Sequence, residues 1–201
     1  MCSSDLENVP AILAAWYPGE EAGTALASVL LGEYNPAGRL PYTVYDSVDQ
    51  IPPQDEYDIT KGFTYMYFAG KPQFAFGHGL SYAAFRYSGL KLSARTTRAD
   101  GKVTVSLDVQ NTGARAGDEV VQLYVHEVQA SVKRPSKELR GFQRIGLQPK
   151  EKKAVSFSLP AADLAFYDEK TKKFVVEPGV YQVMLGSSSE DIRLKGTLEV
   201  K

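Results

Sequence analysis

The sequence predicts a mainly β protein: an antiparallel immunoglobulin-like sandwich over residues 85–201, preceded by an incomplete βα portion of an α/β domain (9–45) and a long aromatic loop (46–84). Three observations predict it. From about Phe85 apolar residues recur with period two, as where Val103, Val105, Leu107 and Val109 alternate with Thr104, Ser106, Asp108 and Gln110. Turn residues at Gly113, Pro149, Pro160, Pro178-Gly179 and Gly186 punctuate these runs at the spacing of a sandwich of roughly seven strands. The N-terminal fifth follows a different grammar, a continuous apolar run and then a helical period.

Val9 to Trp16 (VPAILAAW) has strand length and no polar face, the pattern of a parallel strand buried on both sides. Tyr17-Pro18-Gly19 turns the chain. A helix is expected from about Glu20 to Leu31, because Ala22, Ala25, Leu26, Val29 and Leu30 recur at three-to-four spacing. Glu20 and Glu21 suit its positive end, and Gly32 supplies a left-handed stop. Asn35-Pro36-Ala37-Gly38 is a turn and Arg39–Val44 a short extended segment. A buried parallel strand needs neighbours on both sides, and each uncovered Leu, Ile or Val forgoes about 1.5–3 kcal/mol of burial. Residues 9–45 therefore imply partner elements that this chain does not encode.

Residues 46–80 are irregular: DSVDQIPPQDEYD, then FTYMYF, then FAFGHGLSY. Their aromatic density argues for an ordered, packed loop. Within the sandwich, strands are expected at 103–110, 120–125, 139–145, 154–159, 180–185 and 192–200. With no Cys…Trp…Cys core, a disulfide-type immunoglobulin domain is excluded, and about 115 residues suit a fibronectin type III-like sandwich.

Composition narrows the function. Net charge is −1, with 23 basic and 24 acidic residues spread along 201, so no basic stripe favours nucleic acid and no polybasic or amphipathic segment favours a membrane surface. The apolar run Val9–Tyr17 falls far short of the roughly 20 residues that span a bilayer. One cysteine, Cys2, excludes a disulfide framework, and no metal cluster is visible. No cofactor is expected: Gly19 and Gly23 complete neither GxGxxG nor GxxxxGK. Cys2 to Leu6 match the translation of a common sequencing-adapter end, so residues 1–8 are expected to be an artefactual or disordered terminus.

Three residues stand out as substrate-binding candidates: His78, Tyr65 and Trp16. His78, between two glycines, reads as a packed turn residue or as one bordering a sugar cleft. Trp16 reads as a stacking platform or as core, its place at the end of a buried strand favouring core. Tyr65 and Tyr67, with Phe63 and Phe68, line a subsite or pack against absent elements. The acids Asp46, Asp49, Asp55, Glu56 and Asp58 form a solvated Pro-rich loop. Asp118-Glu119 and Asp168-Glu169 read as turn residues flanking strands, and His126 as a solvent-facing strand end. Lys133, Arg134, Lys137 and Arg140 read as a solvated face.

Three blocks carry a resemblance: AAWYPGEEAGTALASVLLGEYNPAGRLPYT (14–43), FAFGHGLSY (74–82), and NTGARAGDEVVQLYV (111–125) through RPSKELRGFQRIGLQPKE to LAFYDEKTKKFVVEPGVYQVMLGSSSEDIRL (164–194). In this order they resemble glycoside hydrolase family 3, the β-glucosidases and β-xylosidases: the end of its α/β domain, then its fibronectin type III-like domain. The resemblance implies retaining hydrolysis of terminal β-D-glucosyl or β-D-xylosyl residues, with two carboxylates about 5–5.5 Å apart. It places the nucleophile in an N-terminal barrel and the acid/base upstream of AAWYPG, so no catalytic residue is carried onto this chain, which is expected to be an inactive C-terminal fragment. Phe63 and Met66 stand where the pattern GRTYRYF has arginines. The implied partners are an oligosaccharide or aryl glycoside, bound by the intact enzyme, and the missing barrel and α/β half-domain. A periplasmic or secreted parent is compatible, the compartment staying open. The alternative is a non-catalytic β-sandwich module with a structural or carbohydrate-binding role.

Overall fold

The computed structural model describes residues 9–201; the terminus expected to be artefactual or disordered, with Cys2, lies outside the described residues. Helix α1 spans Ala22–Leu30 and a single-turn α2 spans Thr64–Tyr67. The strands are β1 (Phe85–Leu92), β2 (Thr96–Thr97), β3 (Lys102–Asn111), β4 (Gly117–Glu127), β5 (Glu138–Leu147), β6 (Lys152–Pro160), β7 (Phe166–Asp168), β8 (Lys173–Val175), β9 (Gly179–Gly186) and β10 (Ile192–Val200). One sheet has the order β1-β3-β6, the facing sheet β2-β10-β9-β4-β5, and β7-β8 form a separate hairpin. Pairing is antiparallel except for a short parallel β2–β10 contact.

Period-two patterning builds the core directly. Val103, Val105, Leu107 and Val109 of β3 and Val155, Phe157 and Leu159 of β6 meet the inner rows of β4, β9 and β10. The strands expected from alternation form, and β4 runs longer than expected, over Gly117–Glu127. It is paired on both sides, to β5 and β9, so its ladder continues into polar residues.

Its inner row reads Glu119, Val121, Leu123, Val125, Glu127, an apolar centre with a buried acid at each end. Each acid is met by an arginine from a loop. Arg39 Nη2 lies 3.0 Å from Glu119 Oε1, with side chains 9% and 3% exposed. Arg134 Nη1 lies 3.2 Å from Glu127 Oε2, with side chains 9% and 2% exposed.

Arg39 belongs to a joint that ties residues 35–44 and 74–82 to the sandwich. The Leu40 N–H donates to the His78 carbonyl at 2.8 Å, and the Gly77 N–H to the Leu40 carbonyl at 2.7 Å. Asn35 Nδ2 donates to the Ala116 carbonyl at 2.8 Å, while Asn35 Oδ1 accepts from the Ser81 hydroxyl at 2.9 Å and the Tyr82 N–H at 2.8 Å. Gln122 Nε2, on the outer face of β4, donates to the carbonyls of Gly77 at 3.2 Å and Ser187 at 2.5 Å. Gly77 is required here: its φ is +80° and a Cβ would overlap the Gln122 amide. His78 stacks on Phe74 with centroids 5.4 Å apart. Burial, with Arg39 nearby, holds its imidazole below the ordinary histidine range.

Several expectations are corrected. Val9–Trp16 forms no strand, and Val9, Ile12 and Leu13 are exposed: a parallel strand exists only through neighbours, which the described residues do not supply. Trp16 is accordingly exposed and not core. Asp118 and Glu119 lie inside β4, Glu119 buried, because Arg39 compensates its charge. The basic run is no solvated face: Arg134, Lys137 and Arg140 turn inward onto Glu127, Glu190 and Glu138, and only Lys133 stays exposed. His126 is half-buried, its Nδ1 3.1 Å from the Pro135 carbonyl.

Arg39→Met strands Glu119 in the core and is expected to cost about 3–5 kcal/mol in urea unfolding, with Arg39→Met/Glu119→Met recovering most of the loss. Because the folded His78 is depressed, the unfolded chain takes up its proton first as pH falls through 6.5. Stability measured against pH should therefore decline below that value, and His78→Gln should flatten that part of the curve.

Candidate functional site

An open groove of about 290 Å³ lies beside the joint, lined by Pro41, Tyr42, Thr43 and Tyr45 from the extended segment, Thr64, Tyr65 and Met66 of α2, and Phe76. Local chemistry fixes each wall. The Val44 N–H donates to the Phe74 carbonyl at 2.8 Å and the Phe74 N–H returns the bond at 3.2 Å, which anchors one wall on the block containing Phe76. Thr64 has φ +58°, a strained conformation for a β-branched residue. Its N–H donates to the Tyr45 hydroxyl at 3.2 Å, and its Oγ1 accepts from the Met66 N–H at 3.3 Å.

Tyr65 is the best-supported wall residue. Its ring stacks on Phe76 at 4.2 Å and meets Tyr124 of β4 edge-on at 5.9 Å. Its hydroxyl accepts from the Leu139 N–H at 3.1 Å, and burial pushes the phenol above the usual tyrosine range. The loop 128–137 clasps the same wall from outside. Ser136 donates to the Met66 carbonyl through its N–H at 2.8 Å and its hydroxyl at 3.1 Å, and the Lys133 ammonium donates to the Thr60 carbonyl.

Of the three sequence candidates, Tyr65 lines the groove. Trp16 does not line it: it is 63% exposed and meets Tyr42, which does, edge-on at 5.5 Å. His78 sits in the joint, outside the groove. Sequence reading passed over Tyr42, Tyr45 and Phe76, although their signal was present as aromatic residues of LPYTVY and FAFG. Phe63 is absent from the lining, Tyr67 lies under Lys133 with the ammonium 5.8 Å from its ring centre, and Phe68 packs behind on Tyr45 at 4.9 Å.

The groove offers aromatic faces and hydroxyls, which suits stacking but not proton transfer. No carboxylate lines it. The acidic loop is solvated, as expected, and caps its own turns: Asp58 Oδ1 accepts from the Thr60 N–H at 2.9 Å, bonding that holds its carboxyl below the usual range. Asp168 likewise accepts from the Lys170 and Thr171 N–H groups at 3.1 and 3.2 Å, closing the β7-β8 hairpin. Among the described residues, no three His, Cys, Asp or Glu side chains are grouped to hold a metal, and no helix is long and apolar enough to cross a membrane.

Residues 1–82 match the glycosyl hydrolase family 3 C-terminal domain, and residues 119–189 match a fibronectin type III-like domain. The chain is 41% identical to a periplasmic beta-glucosidase of Salmonella typhimurium over 96% of its own length and 26% of that protein's. It is 44% identical to a beta-xylosidase of Formosa agariphila, over 94% of this chain and 27% of that one. Its fold superposes on beta-glucosidase 3B of Thermotoga neapolitana with a TM-score of 0.88 and 34% identity, covering 98% of this chain and 29% of that one. The chain thus spans about a quarter of the length of the curated relatives it matches. By both domain matches, taken in this order, the chain belongs to glycosyl hydrolase family 3 and corresponds to the C-terminal part of its enzymes.

Proposed function

We propose that the intact protein hydrolyses terminal β-linked glucosyl or xylosyl residues with retention, and that these residues serve as its non-catalytic C-terminal part. One observation carries the division of labour. The two acidic side chains buried among the described residues, Glu119 and Glu127, are each committed to an arginine. Retention needs two carboxylates about 5–5.5 Å apart across the scissile bond, one of them free to attack. The aromatic groove has no carboxylate in its lining, and Glu127 and Glu138 at the smaller void are each paired with arginine. The catalytic pair then belongs to a barrel and an α/β half-domain outside this chain, and the exposed Ile12, Leu13, Leu30 and Leu31 are suited to packing against the latter. The relatives include both a beta-glucosidase and a beta-xylosidase, so either sugar fits. A carbohydrate-binding role is the second reading, and the groove's aromatic walls favour it.

The 201-residue chain, assayed on nitrophenyl β-glucoside and β-xyloside, should release no nitrophenol above background. The intact protein should cleave at least one of them, with the β-anomer appearing first by NMR. Turnover by the short chain would overturn the assignment. Clear binding of xylan or cellulose by the short chain would promote the second reading.

A further inference from the structure

At the end of the sandwich opposite Arg39, charged groups crowd a small void that none of the preceding roles explains. The void measures about 10 Å³ for the centre of a water-sized sphere and is walled by Val125, Pro135, Leu164 and Tyr181 together with Glu127, Arg134, Glu138 and Arg140. Four buried polar atoms here lack a hydrogen-bond partner within the protein: Glu127 Oε1 and Oε2, Arg134 Nη1 and Arg140 Nε. The Glu127–Arg134 contact is close, at 3.2 Å, yet aligned so that it satisfies neither side as a hydrogen bond.

Neighbouring groups are already engaged. Arg134 Nη2 donates to the Leu164 carbonyl at 3.1 Å, and Arg140 Nη2 reaches Glu138 Oε2 at 2.6 Å. Tyr181 lies beside Glu127, but its hydroxyl donates to the Glu177 carbonyl at 2.9 Å. Glu177, whose carboxylate also approaches that of Glu127, accepts the Ser131 N–H through Oε2 at 3.1 Å, and a second carboxylate offers Glu127 no proton. What is left over is two donor nitrogens, with three N–H groups between them, and two carboxylate oxygens. A single water, which gives two protons and takes two, can bond to all four atoms. A bare cation would face two guanidinium groups and a halide would face a carboxylate, so the mixed set disfavours both. An orphaned buried charge is costly, whereas a bridging water restores nearly the value of a direct bond.

We infer that this void binds one water molecule, four-coordinated by Glu127, Arg134 and Arg140, as a built-in element of the fold. The site has a consequence beyond the sandwich. Arg134 is carried by the loop 128–137, whose Ser136 and Lys133 hold the groove wall at Met66 and Thr60. The water thereby keys the far end of β4 to the aromatic loop.

The test is a crystal structure of the chain at a resolution that orders internal waters. One solvent peak should lie within about 2.6–3.2 Å of at least three of the four atoms. Bromide and rubidium soaks should leave that position without anomalous signal. A dry void, an ion in it, or a void closed by aligned Glu127–Arg134 hydrogen bonds would each overturn the inference. Arg140→Met removes one donor and leaves the Glu127–Arg134 pair in place, so the peak should weaken or vanish. A peak of undiminished occupancy in that variant would contradict four-fold coordination.

Discussion

The inner row of β4 is the constraint on which the remaining architecture depends. A strand whose core-facing positions read Glu119, Val121, Leu123, Val125, Glu127 cannot be buried unless both ends are neutralised. Removing one partner from a buried pair costs about 3–5 kcal/mol, a large share of a domain's net stability. Two loops therefore have to reach the sandwich, one bringing Arg39 from the N-terminal segment and the other bringing Arg134 from the β4–β5 connection. Each brings more than its charge. Arg39 arrives with the Leu40–His78 and Gly77–Leu40 hydrogen bonds, and Arg134 with the Ser136 and Lys133 clasp.

The outer face of the same strand completes the arrangement. Gln122 and Tyr124 are buried although they point away from the core, because the aromatic loop lies over them. Gln122 binds the Gly77 carbonyl and Tyr65 abuts Tyr124, so a sheet that elsewhere has one wet face is dry at this point. A sandwich clasped in this way is suited to bracing. It holds residues 35–44 and 74–82 by specific polar contacts, while Ile12, Leu13 and Leu30 stay exposed.

The sandwich was legible because its information is local and periodic. Val103 to Val109 declare an inner face by alternation alone, and the structure buries all four apolar residues. The helix at Ala22–Leu30 was legible for the same reason, with Gly32 at φ +77° acting as its stop. What escaped the sequence was anything decided by a partner distant along the chain. Glu119 looked like a turn acid because Arg39, eighty residues away, was not in view. Arg134 looked solvated because nothing nearby shows that Glu127 and Leu164 enclose it. Tyr42 and Phe76 could be seen as aromatic but not as lining one groove. Val9–Trp16 was read as a buried strand, and forms none among the described residues, which supply it no neighbouring strand.

If buried charge couples the N-terminal segment to the sandwich, the two should unfold together. Native-state amide hydrogen exchange measures this directly. The amides of Leu40, Gly77 and Ser189, which make the joint's backbone bonds, should exchange with the same opening free energy as the core strand amides of β3 and β4. Exchange of those three at loop-like rates, with β3 and β4 still protected, would contradict the account.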